Sequence, residues 1–290
     1  MTVLVTGATG FIGRHLLSRL AGTDELVAIT RRDPPPELER LATWIRHDLA
    51  TPLDPSLLPE RVDTILHLAQ SPRYREFPDG AADVFALNVR TPAALLDYAR
   101  AAGAERFVLC STGGVYGYND EHVREAHPVS PINFYLASKY AAEVLLVPYR
   151  ELLRTVVLRP FFVYGPGQRG MLVATLAERV LRGDEVTVDG NPGLRINPVH
   201  VEDAARAIEA AISLNGSDLV NVAGDEAVTV TELVGRLGAA AGVEPRIVHR
   251  GEGPAGDLLG DNTRMKAVLG VVPEIGLDAG LRDIVYELRG

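Results

Sequence analysis

The sequence predicts an α/β fold, a doubly wound parallel sheet followed by a smaller, partly interleaved C-terminal domain. Three observations point to it. Short β-branched runs alternate with longer helical stretches over the first 160 residues. A glycine-rich turn joins the first of these runs to the first helix. After Pro160 the alternation breaks at Gly165-Pro166-Gly167. The chain has 290 residues, 47% of them hydrophobic, enough for one large domain or two closely joined ones.

In chain order, Val3–Thr6 is a buried strand and Ile12–Leu20 a helix with Leu16, Leu17 and Leu20 on its apolar face. Leu26–Thr30, Thr64–Ala69, Phe107–Ser111 and Thr155–Leu158 are further strands, and Pro34-Pro35-Pro36 is a stiff loop. Helical stretches at Ala81–Gly103 and Tyr135–Leu152 separate the later strands, as crossovers in a parallel sheet require. Beyond Pro160 come a helix at Met171–Arg182, a Gly/Asp-rich turn region to about Arg195 and a helix at His200–Leu214. The tail from Val228 to Arg289 holds further helices and glycine turns. These patterns assign residues 1–160 to the sheet domain, with 196–224 returning to it, and 161–195 and 225–290 to the smaller one.

Lysine and arginine number 29 against 38 acids, a net charge of -9. A nucleic-acid binder wants a basic face, so that class of partner is excluded. Cys110 is the single cysteine, which rules out an intrachain disulfide and a cysteine zinc site, and no metal is expected. The first residues enter a strand with no charged leader or cleavage site. No run of ~18 apolar residues suggests a membrane span. A cytoplasmic enzyme is the simplest expectation.

The turn Gly7-Ala8-Thr9-Gly10-Phe11-Ile12-Gly13 lies between a strand and an amphipathic helix. Gly7, Gly10 and Gly13 allow a tight turn and a close backbone approach to a pyrophosphate. The helix start, with Thr9, Phe11 and Ile12, supplies free N–H groups and a favourable dipole. This predicts a dinucleotide. An acid at the end of the second strand would bind a ribose 2′-hydroxyl, whereas arginine can hold a 2′-phosphate. Thr30 stands there, followed by Arg31 and Arg32, so NADP is expected; Asp33 keeps NAD as the alternative.

Tyr135 and Lys139 are four residues apart, hence on one helix face. A tyrosine that exchanges protons near neutrality needs its pKa of about 10 lowered. A neighbouring ammonium and a cationic nicotinamide would do this. Upstream, Cys110-Ser111-Thr112-Gly113-Gly114 closes an apolar strand, where a hydroxyl can bond a reacting oxygen. His67 and His200 are expected to be structural, and Cys110 a small buried hydrophobe.

With these motifs the chain resembles an extended short-chain dehydrogenase/reductase of the NAD-dependent epimerase/dehydratase family, whose dinucleotide domain is a Rossmann fold. The match includes Asp48-Leu49, His67-Leu68-Ala69, Asn88-Val89-Arg90-Thr91, Val115-Tyr116-Gly117, Arg159-Pro160, Val163-Tyr164-Gly165-Pro166-Gly167-Gln168 and Val199 to Asp203. It is specific to about residue 210 and looser beyond. The resemblance implies Thr112, Tyr135 and Lys139 as the catalytic triad, with Lys139 also holding the nicotinamide ribose. Asp48 and Leu49 would meet the adenine, Leu68 and Ala69 would line the pyrophosphate-ribose path, and Asn88 would support the active site. Backbone at Pro160, Phe161 and Val163 would meet the carboxamide. Gln70, Thr112, Gly113, Phe162 and Arg195 would face substrate. A homodimer through a helix bundle that includes the Tyr135 helix is also implied.

Departures from the family narrow the chemistry. Gly113-Gly114 stands where its sugar dehydratases carry Asp-Glu, which disfavours dehydration and decarboxylation. Gly113 also replaces the cysteine of its 3,5-epimerase-reductases. What remains is 4-epimerisation or reversible ketone reduction, with a nucleotide sugar as the expected substrate. Phe162 replaces a common asparagine, and Pro254-Ala255-Gly256-Asp257 lacks the arginine usual in an Arg-Pro-Gly-Asp motif, with Arg250 out of register. These changes keep open an NADPH-dependent carbonyl reductase of a smaller substrate. A non-catalytic NADP sensor is a further alternative, opposed by the intact Tyr135 and Lys139.

Overall fold

The computed structural model describes residues 1–22, 25–254 and 256–290. Its strands are β1 (Thr2–Thr6), β2 (Glu25–Thr30), β3 (Thr43–Arg46), β4 (Thr64–His67), β5 (Arg106–Cys110), β6 (Arg154–Pro160), β7 (Glu185–Asp189), β8 (Arg195–Ile196), β9 (Asp218–Val222), β10 (Val228–Thr229) and β11 (Arg246–Arg250). The helices are α1 (Phe11–Leu20), α2 (Ala81–Phe85), α3 (Thr91–Ala101), α4 (Phe134–Leu146), α5 (Leu172–Arg182), α6 (Val201–Ile212), α7 (Val230–Ala241), α8 (Thr263–Leu269) and α9 (Leu277–Arg289).

The chain forms two compact units. The first comprises residues 1–115, 130–159 and 205–220, and the second 116–129, 160–204 and 221–290. The interleaving therefore differs from the sequence-based division. Residues 116–129 leave the sheet unit, and the returning segment narrows from 196–224 to 205–220.

Seven strands form one sheet in the order β3-β2-β1-β4-β5-β6-β9. The first six pair in parallel. From β1 the chain winds outward through β2 and β3, then returns to continue from β4. The order thus reverses between β1 and β4, and at such a switch point the strand C-termini open a ligand crevice. Leu4, Ile29, Ile65, Leu95 and Phe107 belong to the core of this unit.

Two helical predictions change in detail. The single helix expected from Ala81 to Gly103 carries a π-helical turn at Ala86–Arg90. The helix expected from Tyr135 to Leu152 stops at Leu146 and gives way to a 3-10 turn, Pro148–Glu151, because proline lacks the N–H that would continue it.

In the second unit α5, α7 and α9 pack on one another over Val173, Leu233, Leu237 and Leu281. A capping box of Thr229 and Glu232 starts α7. The region expected to be only turns before Arg195 contains β7, which pairs in parallel with β11. Its sequence Glu-Val-Thr-Val-Asp buries Val186 and Val188 on one face, the period-2 pattern of a strand. Among the described residues no helix is long and apolar enough to cross a membrane.

Candidate active site

The glycine turn sits at the switch point. Gly7 has φ +75°, and a Cβ there would lie 2.7 Å from Ala69 N and 2.8 Å from Leu68 C. A Cβ on Gly13 would lie 2.2 Å from Gly7 O. The turn therefore admits no side chain at either position. Gly10 caps α1 without a side-chain hydrogen bond, and no acid occupies the first turn. Backbone N–H groups, a helix dipole and no competing carboxylate fit the pyrophosphate of a dinucleotide.

At the end of β2, Thr30 Oγ1 donates to Arg32 O at 2.8 Å, and Arg31 and Arg32 stand exposed. Asp33 pairs with Arg46 at 3.4 Å. No acid thus occupies the strand end itself. Asp48 uses Oδ1 to accept from Ala50 N at 2.9 Å, while the Leu49 side chain is buried in the core and its carbonyl accepts from Thr91 Oγ1 at 2.8 Å.

Asn133 caps α4 by accepting from Leu136 N at 2.9 Å, which fixes the helix start just before Tyr135. Tyr135 Oη donates to Gln70 Oε1 at 2.9 Å. Lys139 is buried, and its Nζ donates to Cys110 O at 2.7 Å, at the end of β5. Two residues on, Thr112 Oγ1 accepts from Gly114 N at 3.2 Å. Asn88 lies in the π turn; its Nδ2 donates to Ser138 Oγ at 3.0 Å, and Ser138 Oγ in turn donates to Tyr135 O at 2.7 Å. Such π turns recur at functional sites.

Sequence reasoning did not assign a role to Glu143. Its carboxylate is buried, pairs with the buried Arg159 at 2.5 Å and accepts from Ser111 Oγ. Ser111 is thereby engaged, and Thr112 is left as the hydroxyl of this strand end for a reacting oxygen. The signal was present: Glu143 follows Lys139 by one helical turn on the same face.

The protein's own groups push the Tyr135 phenol above its ordinary range, by burial first and then by Cys110 and Tyr74. Burial also lowers Lys139, against the opposing pull of Cys110 and Glu143. His67 is held down to about 3 by burial and by Lys139, so it is neutral. Its Nδ1 meets Thr6 Oγ1 at 2.8 Å.

Gly113–Tyr116 forms a 3-10 turn. A Cβ on Gly114 would lie 2.8 Å from Leu136 Cδ2. In the second unit, Phe161 N donates to Val222 O at 2.9 Å, and its carbonyl accepts from Val199 N at 3.3 Å. The carboxamide contact expected along Pro160, Phe161 and Val163 therefore has both backbone groups of Phe161 already engaged. Gln168 Nε2 donates to Val163 O at 2.5 Å. Phe162 has φ +44°, the one left-handed non-glycine residue among those described. Asparagine tolerates that conformation; phenylalanine holds it under strain. Arg195, expected at a phosphate, binds Asp257 at 3.2 Å through its guanidinium and again through its backbone N. Ala255, in the altered Pro254–Asp257 motif, lies outside the described residues. His200 is buried at the start of α6, edge-on to Tyr164, and its Nδ1 accepts from Glu202 N at 3.3 Å.

Residues 3–223 match the model of the NAD dependent epimerase/dehydratase family. A UDP-glucose 4-epimerase of Mycolicibacterium smegmatis is 31% identical, over 100% of this chain and 99% of that protein. A dTDP-4-dehydro-6-deoxy-D-allose reductase of a Streptomyces species is 30% identical, over 97% and 94%. The crystal structure of the Thermus thermophilus UDP-glucose 4-epimerase in complex with NAD has a TM-score of 0.87 at 29% identity, covering 100% of this chain and 99% of that one.

Proposed function

This chain belongs to the NAD dependent epimerase/dehydratase family, and on that footing we propose that it transfers a hydride at C4 of a nucleotide sugar, as a 4-epimerase or a 4-ketoreductase. The observation that carries this reading is Thr112, Tyr135 and Lys139 on adjoining elements, followed by glycines where an eliminating acid–base pair would stand. The dinucleotide, when bound, supplies or accepts the hydride. Tyr135 gives its phenolic proton to the carbonyl oxygen in reduction and takes one from the alcohol in oxidation. Thr112 Oγ1 orients that oxygen. Lys139, one helical turn from Tyr135, holds the nicotinamide ribose in this reading.

Turnover of UDP- and dTDP-hexoses, analysed for the C4 epimer and for net dinucleotide consumption, tests the proposal. An epimer formed with no dinucleotide consumed identifies an epimerase; stoichiometric oxidation of the reduced dinucleotide by a 4-keto sugar identifies a reductase. Phe162 and the engaged Arg195 favour a second reading, a carbonyl reductase of a smaller substrate. Absence of thermal stabilisation by any UDP- or dTDP-sugar would select it over the first.

Thr30, Arg31 and Arg32 support NADP, whereas the Thermus relative was solved with NAD. The dinucleotide released on denaturation decides, and firmly retained NAD overturns the NADP assignment. Homodimerisation through the α4 face is supported by Phe85, Val144 and Val147, which stand exposed. A monomeric mass by light scattering removes it. A cytoplasmic setting agrees with the single, buried Cys110.

A further inference from the structure

One face of α4 meets the end of β5 residue by residue. Tyr135, Lys139 and Glu143 follow one another by a helical turn on that face. Lys139 Nζ donates to Cys110 O at 2.7 Å, and the Glu143 carboxylate accepts from Ser111 Oγ. The next residue in the chain is Thr112. We infer that Glu143 is a positioning residue, which acts through Ser111 to hold the Thr112 hydroxyl in register with the Tyr135 phenol. The inference rests on the hydride-transfer reading for what Thr112 does, and adds to it how Thr112 is held.

The ends of β5 and β6 converge on Glu143. From β6, Arg159 Nε lies 3.1 Å from Oε1 and 3.2 Å from Oε2, and Nη2 donates to Oε2 as well. Just past β5, Ser111 supplies its hydroxyl to Oε1. Ser111 is also held at its backbone, where its N–H donates to Leu158 O at 2.8 Å, one residue before Arg159. Ser111, Glu143 and Arg159 are all buried. Together they fasten two strand ends to α4 immediately before Thr112.

Stability alone does not account for this arrangement. Apolar side chains of similar volume in place of a buried ion pair are commonly as stable or more so. What the charges add is direction. A carboxylate fixed by a planar guanidinium offers a strong, charge-assisted acceptor to a hydroxyl at one defined place. Thr112 lies beyond β5, and its own contacts are local: Oγ1 accepts from Gly114 N at 3.2 Å, and its carbonyl accepts from Val115 N at 3.4 Å. The Ser111–Glu143 contact ties the residue before it to the helix that bears Tyr135.

Ser111→Ala tests this, because it removes the hydroxyl and leaves the Glu143–Arg159 pair in place. Glu143 Oε1 keeps its contact with Arg159 Nε, so the variant folds. Crystal structures of wild type and variant should show the Thr112 hydroxyl displaced relative to Tyr135 Oη by more than about 0.5 Å, the tolerance of a catalytic geometry. For the UDP- or dTDP-hexose that the wild type turns over, kcat should fall about tenfold while KM changes less than about twofold. With Thr112→Val already present, Ser111→Ala should cost less than about twofold more, because its effect runs through the missing hydroxyl. A purely structural role predicts the same loss in both backgrounds. An unmoved Thr112 hydroxyl, or that loss repeated in full beside Thr112→Val, overturns the inference. A wild-type protein that turns over no UDP- or dTDP-hexose overturns the nucleotide-sugar reading instead, and the place of the Thr112 hydroxyl in Ser111→Ala still decides the inference.

Discussion

In the first unit the residues expected to react sit on a regular element or just beyond its end. Thr112 lies two residues past β5, and Tyr135 and Lys139 lie one turn apart on α4. In the second unit the residues expected to recognise substrate sit on irregular pieces. Phe162 occupies a left-handed turn, and Arg195 a two-residue strand where Asp257 engages it. The contrast teaches that a strand end and a helix face hold chemistry in a fixed geometry, so the residues that perform it have few alternatives. Loop segments can exchange an amide for an aromatic ring and still fold. The residues expected to react match the family pattern the sequence resembles, and those expected to recognise substrate depart from it at Phe162.

The largest expected effect lies in the first unit. Tyr135→Phe should lower kcat about a thousandfold, within the range for loss of a general acid. A variant that kept more than about a tenth of wild-type turnover would show that the phenol is not the proton donor. Next comes the buried pair behind it. Glu143→Gln leaves the Arg159 charge uncompensated and should cost about 3 kcal/mol of unfolding free energy. Urea denaturation measures this, and a loss below about 1 kcal/mol would mean that the pair is not desolvated as the structure has it.

His67 sharpens the comparison through pH. Its folded pKa is about 3, below the 6.5 of an unconstrained imidazole. Between those values the unfolded chain binds a proton that the folded chain refuses. The contribution of His67 is therefore complete above about pH 6.5 and is lost as pH falls towards about 3. Urea midpoints of the wild type should drop more steeply over this window than those of His67→Asn. Parallel curves would show that the imidazole is accessible to protons.

The smallest effect belongs to the second unit. Phe162→Asn relieves strain of about 1 kcal/mol at φ +44° but gives up half-buried apolar contact, so its melting temperature should stay close to wild type. Phe162→Val puts a β-branched residue in the same conformation and should be less stable than Phe162→Asn. Equal stability of the two would mean that the left-handed turn is not enforced.

The sheet was legible in the sequence where strands are buried on both faces. Val3–Thr6 and Phe107–Cys110 are continuous apolar runs, and the structure places strands over both. Short partly buried strands carry too little pattern, and β3 and β11 were not seen for that reason. In the candidate site, residues that share a helix face or a glycine spacing could be paired from sequence alone. The spacing of Glu143 from Lys139 was visible, but the contacts themselves were not, because Gln70 reaches Tyr135 across 65 residues and Glu143 reaches Arg159 across a helix–strand packing. The upward push on Tyr135 also needed the fold, since burial and the neighbours Cys110 and Tyr74 all act in that direction only once they are placed around it.

The turn after Thr112 bears on how this protein can diverge. A side chain at Gly114 would begin 2.8 Å from Leu136 Cδ2, and Leu136 is buried on the same helix as Tyr135. A glutamate at Gly114 thus requires the end of the Leu136 side chain to turn aside. Space alone therefore does not bar an acid from this turn, because one rotamer change at Leu136 would admit it.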